Sequence, residues 1–260
     1  MTAIPPLSFD LRQIGPGTGA PFAVFDQQDS GCVSSGVVVA GRRLLVKVAT
    51  TSAARASLRN AIRFHEAVRH PSIVRPEQAS ADATVALVYP WIDGSVLNHA
   101  TTAGSDRSAL SRFRSLPLPA VETAVSTVLH AHLAVAQAGF VSVDFYDGAM
   151  LYNFDRNTMH LIDLDEYRPA PFQVSTDRLP GSRSYMAPEE WSQGALIDER
   201  TMVFAMGRTV HHLLCADDQH WRGNAKQRAL VTTATKADPA KRFDSISALL
   251  AHWDQTRSHR

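Results

Sequence analysis

A chain of 260 residues, 45% apolar and 20% charged, has the composition of a globular protein and the length for one large domain or two lobes around a cleft. Its formal net charge of +1 offers no bulk attraction to nucleic acid or a membrane surface, and no apolar run approaches the roughly eighteen residues of a membrane span. The opening MTAIPPLSFDLRQIG lacks the basic start and hydrophobic run of a secretion signal, so a cytoplasmic setting is expected.

Residues 1–22 are rich in Pro and Gly and read as an arm. FAVFDQ (23–28) reads as a strand, DSGCVSSG (29–36) as a Gly/Ser turn and VVVA (37–40) as a second strand. AGRR then makes a tight hairpin into the strand LLVKVAT (44–50). Residues 52–70 show helical periodicity through Leu58, Ile62, His65 and Val68, ended by His70-Pro71. TVALVYPWI (84–92) is a further apolar strand, and residues 104–119 read as a polar, arginine-bearing connection. A strong helix spans 119–139 and stops at Gly139. Short apolar stretches at 149–152 and 159–164 flank the turn-like NFDRNT, and helices follow at 202–214, near 224–236 and at 243–256. A mostly β part followed by a mostly α part predicts an α+β protein with two lobes.

Two cysteines far apart, Cys32 and Cys215, speak against a disulfide framework or a thiolate zinc site. His130 and His132 fall two apart on one helix and His211 and His212 are adjacent, so each pair diverges and ordinary core or surface histidine is the expectation. Lysine is more informative. Only Lys47, Lys226, Lys236 and Lys241 occur among 26 basic residues. A lone lysine inside an apolar strand, where the chain otherwise uses arginine, points to a site that wants a compact ammonium; the alternative is an edge lysine reaching solvent.

Three segments share a pattern. GSRSYMAPEEW (181–191) is similar to the G-T-x-x-Y-M-A-P-E segment of eukaryotic-type protein kinases, DPAKRF (238–243) to the D-P-x-x-R stretch before their last helix, and RHPSIV (69–74) to their H-P-x-I-V. The resemblance covers nearly the whole chain from about residue 23. It implies a bilobal protein-kinase-like fold, with a β-rich nucleotide-binding lobe of one main helix at 23–92 and a mostly helical lobe at 93–260. It also implies that Arg242 bridges to Glu189. GCVSSGVV (31–38) resembles the glycine-rich hairpin, matching at Gly31, Gly36 and Val38 with Val33 in place of the middle glycine. Lys47 then matches the strand lysine that grips the α- and β-phosphates of ATP. Pro90 and Ile92 match the adenine-holding backbone, Pro90 through its carbonyl and Ile92 through its N–H. Asp144 in FVSVDFYDGAML matches the aspartate that orients or accepts the acceptor's hydroxyl proton, and Asp163 in LIDLDEY the magnesium ligand.

Several positions depart from the family pattern. Ser142 and Val143 replace the histidine and arginine before the catalytic aspartate. Without that arginine no switching by activation-loop phosphorylation is expected. Tyr146 replaces the lysine, Ala149 the metal-binding asparagine, Ala61 the helix glutamate that pairs with the strand lysine, and Asp165 the glycine after the metal-binding segment. Asp147 or Asp165 could supply the missing Mg²⁺ ligand; equally, Asp147-Gly148 could be a turn dipeptide and Asp165 a loop cap. The resemblance thus implies an atypical ATP- and Mg²⁺-dependent phosphotransferase acting on a protein Ser/Thr or small-molecule hydroxyl. The alternative is a pseudokinase that binds nucleotide or scaffolds without turnover. Arg107, Arg112 and Arg114 leave an anionic substrate open, against the plainer reading of a solvated surface.

Overall fold

The computed structural model describes residues 4–7, 21–26, 31–101, 104–217 and 219–257. Its β-rich part is a five-stranded antiparallel sheet. β1 (Ala23–Phe25), β2 (Cys32–Val39), β3 (Arg42–Ala49), β4 (Gln78–Ala81) and β5 (Val85–Pro90) lie in the order β1-β2-β3-β5-β4. Ala40 and Gly41 turn β2 into β3 with φ of 49° and 77°. That positive-φ pair matches the strand twist, and Gly41 adopts it without steric cost. The Gly/Ser turn expected at 29–36 is corrected: Cys32–Gly36 lie in β2. Ser34, Ser35 and Gly36 pair with β1 on one side and Lys47, Val46 and Leu45 of β3 on the other. Ladder bonds on both sides override the turn preference of CVSSG. Residues 27–30, between β1 and β2 in the sequence, lie outside the described ones.

Thr51 caps α1 (Ser52–Ala67), its hydroxyl accepting from the Ala54 N–H at 3.1 Å. Ala54, Leu58 and Ala61 of α1 are buried against Cys32, Ala49, Leu87 and Tyr89 of the sheet. The opposite sheet face buries Val37, Leu44, Val46 and Val88. Within the expected arm, residues 4–7 run along the edge strand, where the Ala79 N–H donates to the Pro5 carbonyl at 2.9 Å and Leu7 covers the outer face.

The helical part contains α2 (Ser108–Arg114), α3 (Leu118–Gln137), α4 (Glu199–Leu214), α5 (Ala225–Ala234) and α6 (Ile246–Thr256). The polar connection expected at 104–119 therefore holds a helix. Leu110 and Phe113, three apart, bury one face of it, Arg114 at its end is buried too, and Ser111 and Arg112 are exposed. α3 is long and apolar enough, by length and composition, to cross a membrane. It is the central core helix here, burying Val121, Val125, Val128, Leu129 and Val135 and packing on α4 and α6. His132 of α3 is a core histidine. Its Nε2 lies 2.8 Å from the Tyr167 hydroxyl, its Nδ1 2.8 Å from the Val128 carbonyl, and burial lowers its pKa to about 4.

Residues 150–153 and 158–161 form a hairpin in this part. It joins the chain that follows α1: the Leu161 N–H donates to the Ser72 carbonyl at 2.7 Å and the Val74 N–H to the Leu161 carbonyl at 2.9 Å. The segment RHPSIV thereby fixes where residues 162–167 emerge, beside β3 and α1.

Candidate functional site

Lys47 is central in β3, paired with Ser34 of β2 and Leu87 of β5. It is buried, on the sheet face that packs α1, so the reading of an edge lysine reaching solvent is excluded. Its ammonium meets two carboxylates from LIDLDEY, an ion pair with Asp163 and one with Asp165 at 2.5 Å. Burial pulls the Lys47 pKa down, but the charges of Asp163 and Asp165 outweigh it and hold the ammonium charged.

α1 offers no carboxylate here, since Ala61 is fully buried in the apolar contact with the sheet. The helix grips the acidic segment by another route. Asn60 Nδ2 donates to the backbone carbonyls of Asp165 at 2.8 Å and Tyr167 at 2.5 Å. Sequence comparison missed Asn60, because it looked for a charge on this helix and the link is an amide to backbone. The counter-ion beyond Asp163 is Asp165, which occupies the pattern's glycine position. Burial raises the Asp165 pKa, with Lys47 opposing and Asp163 reinforcing.

Asp144 sits on the loop between residues 140–141 and the hairpin, at φ 56°, and Asp163 has φ 58°. Aspartate tolerates this left-handed backbone better than most residues, and such outliers concentrate at functional sites. Burial raises the Asp144 pKa to about 7, with the neighbouring charges of Asp163 and Glu166 adding to the rise. Gly181 approaches it closely: a Cβ there would come 3.7 Å from the Asp144 Cα. Ser142, Asp144, Gly181, Ser182 and Glu190 line one small crevice. Burial also lifts Glu190 to about 7, although its carboxylate accepts from the Ala187 N–H at 2.6 Å. A carboxyl that titrates near neutrality can exchange a proton with a bound hydroxyl.

Asp163 and Asp165 set two carboxylates against the single ammonium of Lys47. Asp163 is 41% exposed, and Asp165 Oδ1 is buried with no hydrogen-bond partner. An excess carboxylate with an unsatisfied hard oxygen fits Mg²⁺ chemically. Among the described residues, no three His, Cys, Asp or Glu converge as a ready-made metal cluster. Asp147 is committed elsewhere. It is buried, and its two oxygens accept from Asn98 Nδ2 at 2.9 Å and Arg107 Nη2 at 3.3 Å, in a separate cavity. The expectation that Asp147 serves as a metal ligand beside Asp163 is therefore corrected: both of its carboxylate oxygens hold other groups. Asp147 opens a short 3₁₀ turn at 147–149.

Gly31 has φ 67° at the foot of β2, and its carbonyl accepts from the Thr50 N–H at 2.9 Å and hydroxyl at 2.8 Å. Gly36 is mid-strand, not at a hairpin tip, and Val38 is 55% exposed further along β2. The glycine-hairpin role assigned to Gly36 and Val38 is corrected on that ground. What Gly36 permits is a close approach: Phe22 and Trp91 pack edge to face, centroids 4.7 Å apart, and both rings would meet a Cβ there within 2.9 Å. Pro90 ends β5 and Ile92 follows two residues later, both half-buried. The Trp91 N–H between them continues the ladder to the Arg43 carbonyl at 3.1 Å.

Arg242 and Glu189 meet in a bidentate ion pair, Nη1 to Oε1 at 2.6 Å and Nη2 to Oε2 at 2.9 Å. Arg242 also donates to the carbonyls of Lys236, Ala237 and Arg200. The pair clamps the 181–191 segment to the turn before α6 and lies in the structural scaffold behind the crevice. No protein-family model matches this chain, and no curated protein matches it.

Proposed function

We propose that the protein is an atypical ATP-dependent phosphotransferase with a bilobal, protein-kinase-like architecture. It moves the γ-phosphate of Mg·ATP to a hydroxyl of a protein Ser/Thr or a small molecule, in a cytoplasmic setting. The observation carrying this reading is the triad of Lys47 with Asp163 and Asp165, set beside a carboxyl, Asp144, poised near neutral pH. The Lys47 ammonium would contact the phosphates of ATP, and Asp163 with Asp165 would hold Mg²⁺. Mg²⁺ supplies charge neutralisation at the transferring phosphoryl group. Asp144 would orient the acceptor hydroxyl and take its proton as the acceptor oxygen bonds to phosphorus and ADP leaves with the electrons of the broken P–O bond. Glycine Gly31 and the backbone at Pro90 and Ile92 would line the nucleotide.

A pseudokinase is the second reading. Ala149 brings no metal ligand, Asp147 is tied to Arg107, and Phe22 with Trp91 covers the sheet at Gly36, on the face that bears Lys47. Incubation with γ-labelled ATP, Mg²⁺ and a panel of proteins and small alcohols separates the two. Label in an acceptor supports transfer. Bound nucleotide without label in any acceptor supports a nucleotide-binding pseudokinase, and absence of nucleotide binding removes the phosphotransferase and leaves a scaffolding pseudokinase.

A further inference from the structure

The sheet face that carries Lys47 is closed in one direction and open in the other. Towards Ala49 and Cys32 it is covered by α1, whose Ala54, Leu58 and Ala61 are buried against it. Towards Leu45, two residues back along β3, it opens: Leu45 is half-buried, and Val38 on the same face of β2 is 55% exposed. Gly36 lies opposite Leu45 on the neighbouring strand, about 8 Å from Lys47 by strand spacing. The rings of Phe22 and Trp91 sit on this open part, edge to face. Gly36 has no Cβ to hold them off, and a Cβ placed there would come within 2.9 Å of both. The two halves of the pair are anchored unequally. Trp91 directly follows β5, and its N–H continues the ladder to the Arg43 carbonyl at 3.1 Å. Phe22 precedes β1, a three-residue edge strand that pairs only with β2 among the described residues. Its N–H donates to the Gly36 carbonyl at 2.9 Å, and the residue is 46% exposed. A short edge segment with so little burial belongs to the part of a fold that opens locally at low cost.

We propose that Phe22 is an autoinhibitory cap: it lies where the base of a bound nucleotide would rest, and it leaves the sheet when the nucleotide enters. The inference rests on the nucleotide reading of Lys47 and adds a competition to it. With phosphates at the Lys47 ammonium, the rest of a nucleotide finds apolar sheet to lie on only along the open face, because α1 fills the other direction. On that path, past Leu45, stands the Phe22–Trp91 pair. Trp91 is held by its ladder bond and remains as a wall for the base, and Phe22 is the half that yields. The free protein then divides between capped and open forms, and its apparent affinity is the intrinsic one reduced by the open fraction. One edge-to-face contact of a half-exposed ring lowers nucleotide affinity by about threefold to tenfold.

The test is isothermal titration of the full chain with Mg·ADP and, as a ligand without a base, Mg·pyrophosphate. Phe22→Ala is expected to bind Mg·ADP about threefold to tenfold more tightly than the unsubstituted protein, and Mg·pyrophosphate no differently. Hydrogen exchange on the unsubstituted chain is the second measurement: saturating Mg·ADP should speed exchange at residues 22–25 and not at 44–48. Mg·ADP binding that is equal or weaker in Phe22→Ala, an equal gain for pyrophosphate, or exchange at 22–25 that is unchanged or slower with Mg·ADP overturns the cap and leaves the nucleotide reading in place. Failure of both proteins to bind Mg·ADP removes the nucleotide reading and the cap together. The exchange measurement needs no variant, so it decides the matter even if Phe22→Ala misfolds.

Discussion

Replacing Arg242 with methionine removes the guanidinium while keeping an unbranched side chain of similar reach. In the structure all of its donor nitrogens are used: two bonds to Glu189, and one each to the carbonyls of Lys236, Ala237 and Arg200. The Arg242 side chain is 0% exposed and that of Glu189 10%, so water cannot replace what is lost. Glu189 would keep only the Thr201 hydroxyl, at 2.8 Å, among its side-chain donors. Breaking one partner out of a buried pair costs about 3–5 kcal/mol. At about 2 °C per kcal/mol for a chain of this size, the melting temperature should fall by about 6–10 °C. The pair also has a pH signature. Burial works to raise the Glu189 pKa, but the Arg242 hydrogen bond and charge win and hold it below its ordinary value. A depressed carboxylate pKa contributes stability that is present above the unfolded value and lost as pH falls through the folded one. Circular-dichroism melts from pH 7 to pH 3 should therefore show the two proteins converging in acid. Glu189→Gln combined with Arg242→Met should cost less than the sum of the two. A melting temperature within about 2 °C of the unsubstituted protein at pH 7 would refute the reasoning, since a buried pair cannot be lost so cheaply.

In the proposed reaction the carboxylate form of Asp144 accepts the proton, and burial raises its pKa to about 7, so kcat/KM for transfer should rise with pH through about 7 and level off above it; a flat profile from pH 5 to 9 contradicts this. A buried carboxyl with a raised pKa costs stability as pH climbs from the ordinary carboxylate range to about 7. Asp144→Asn should therefore raise the melting temperature at pH 8 and leave it nearly unchanged at pH 4. Mg²⁺ affinity of protein holding a non-hydrolysable ATP analogue should drop by about tenfold or more in Asp163→Ala and stay unchanged in Asp147→Asn; equal affinity in Asp163→Ala and the unsubstituted protein sinks the metal assignment. Asn60→Ala removes two amide bonds to the 165–167 backbone and should cost about 1–3 kcal/mol in urea unfolding.

Much of the scaffold is readable in the residues because local chemistry decides it. Ala40-Gly41 turns a hairpin, Gly139 with φ 75° ends α3, and the acid of YMAPE finds the arginine of DPAKRF, whereas α1 ends at Ala67, with Val68 extended, ahead of the expected stop at His70-Pro71. What sequence reading misses depends on neighbours distant in the chain. CVSSG carries turn residues, but β1 and β3 flank it and make it a strand. α2 hides among arginines, because its register becomes visible only through the burial of Leu110 and Phe113. Asp147 sits one helical turn from Asp144 in the sequence pattern, yet Asn98 and Arg107, 49 and 40 residues away, claim both of its oxygens. The reverse holds for Asp165. Its replacement of a glycine reads as a defect, and in the fold it supplies the buried counter-charge for Lys47 that α1 lacks. Of the three arginines in the 107–114 stretch, Arg107 and Arg114 line the cavity beside Asp147, while Arg112 stacks over the Phe154 ring at 4.0 Å.

In the proposed reaction the Lys47, Asp163 and Asp165 triad and Asp144 act together on Mg·ATP. The most direct measurement is label transfer from γ-labelled ATP at pH 8 to the best acceptor, comparing the unsubstituted protein with Asp144→Asn. Loss of the proton acceptor should slow transfer by about 100-fold or more while nucleotide affinity stays within about threefold. Transfer that continues at an unchanged rate in Asp144→Asn would contradict the account.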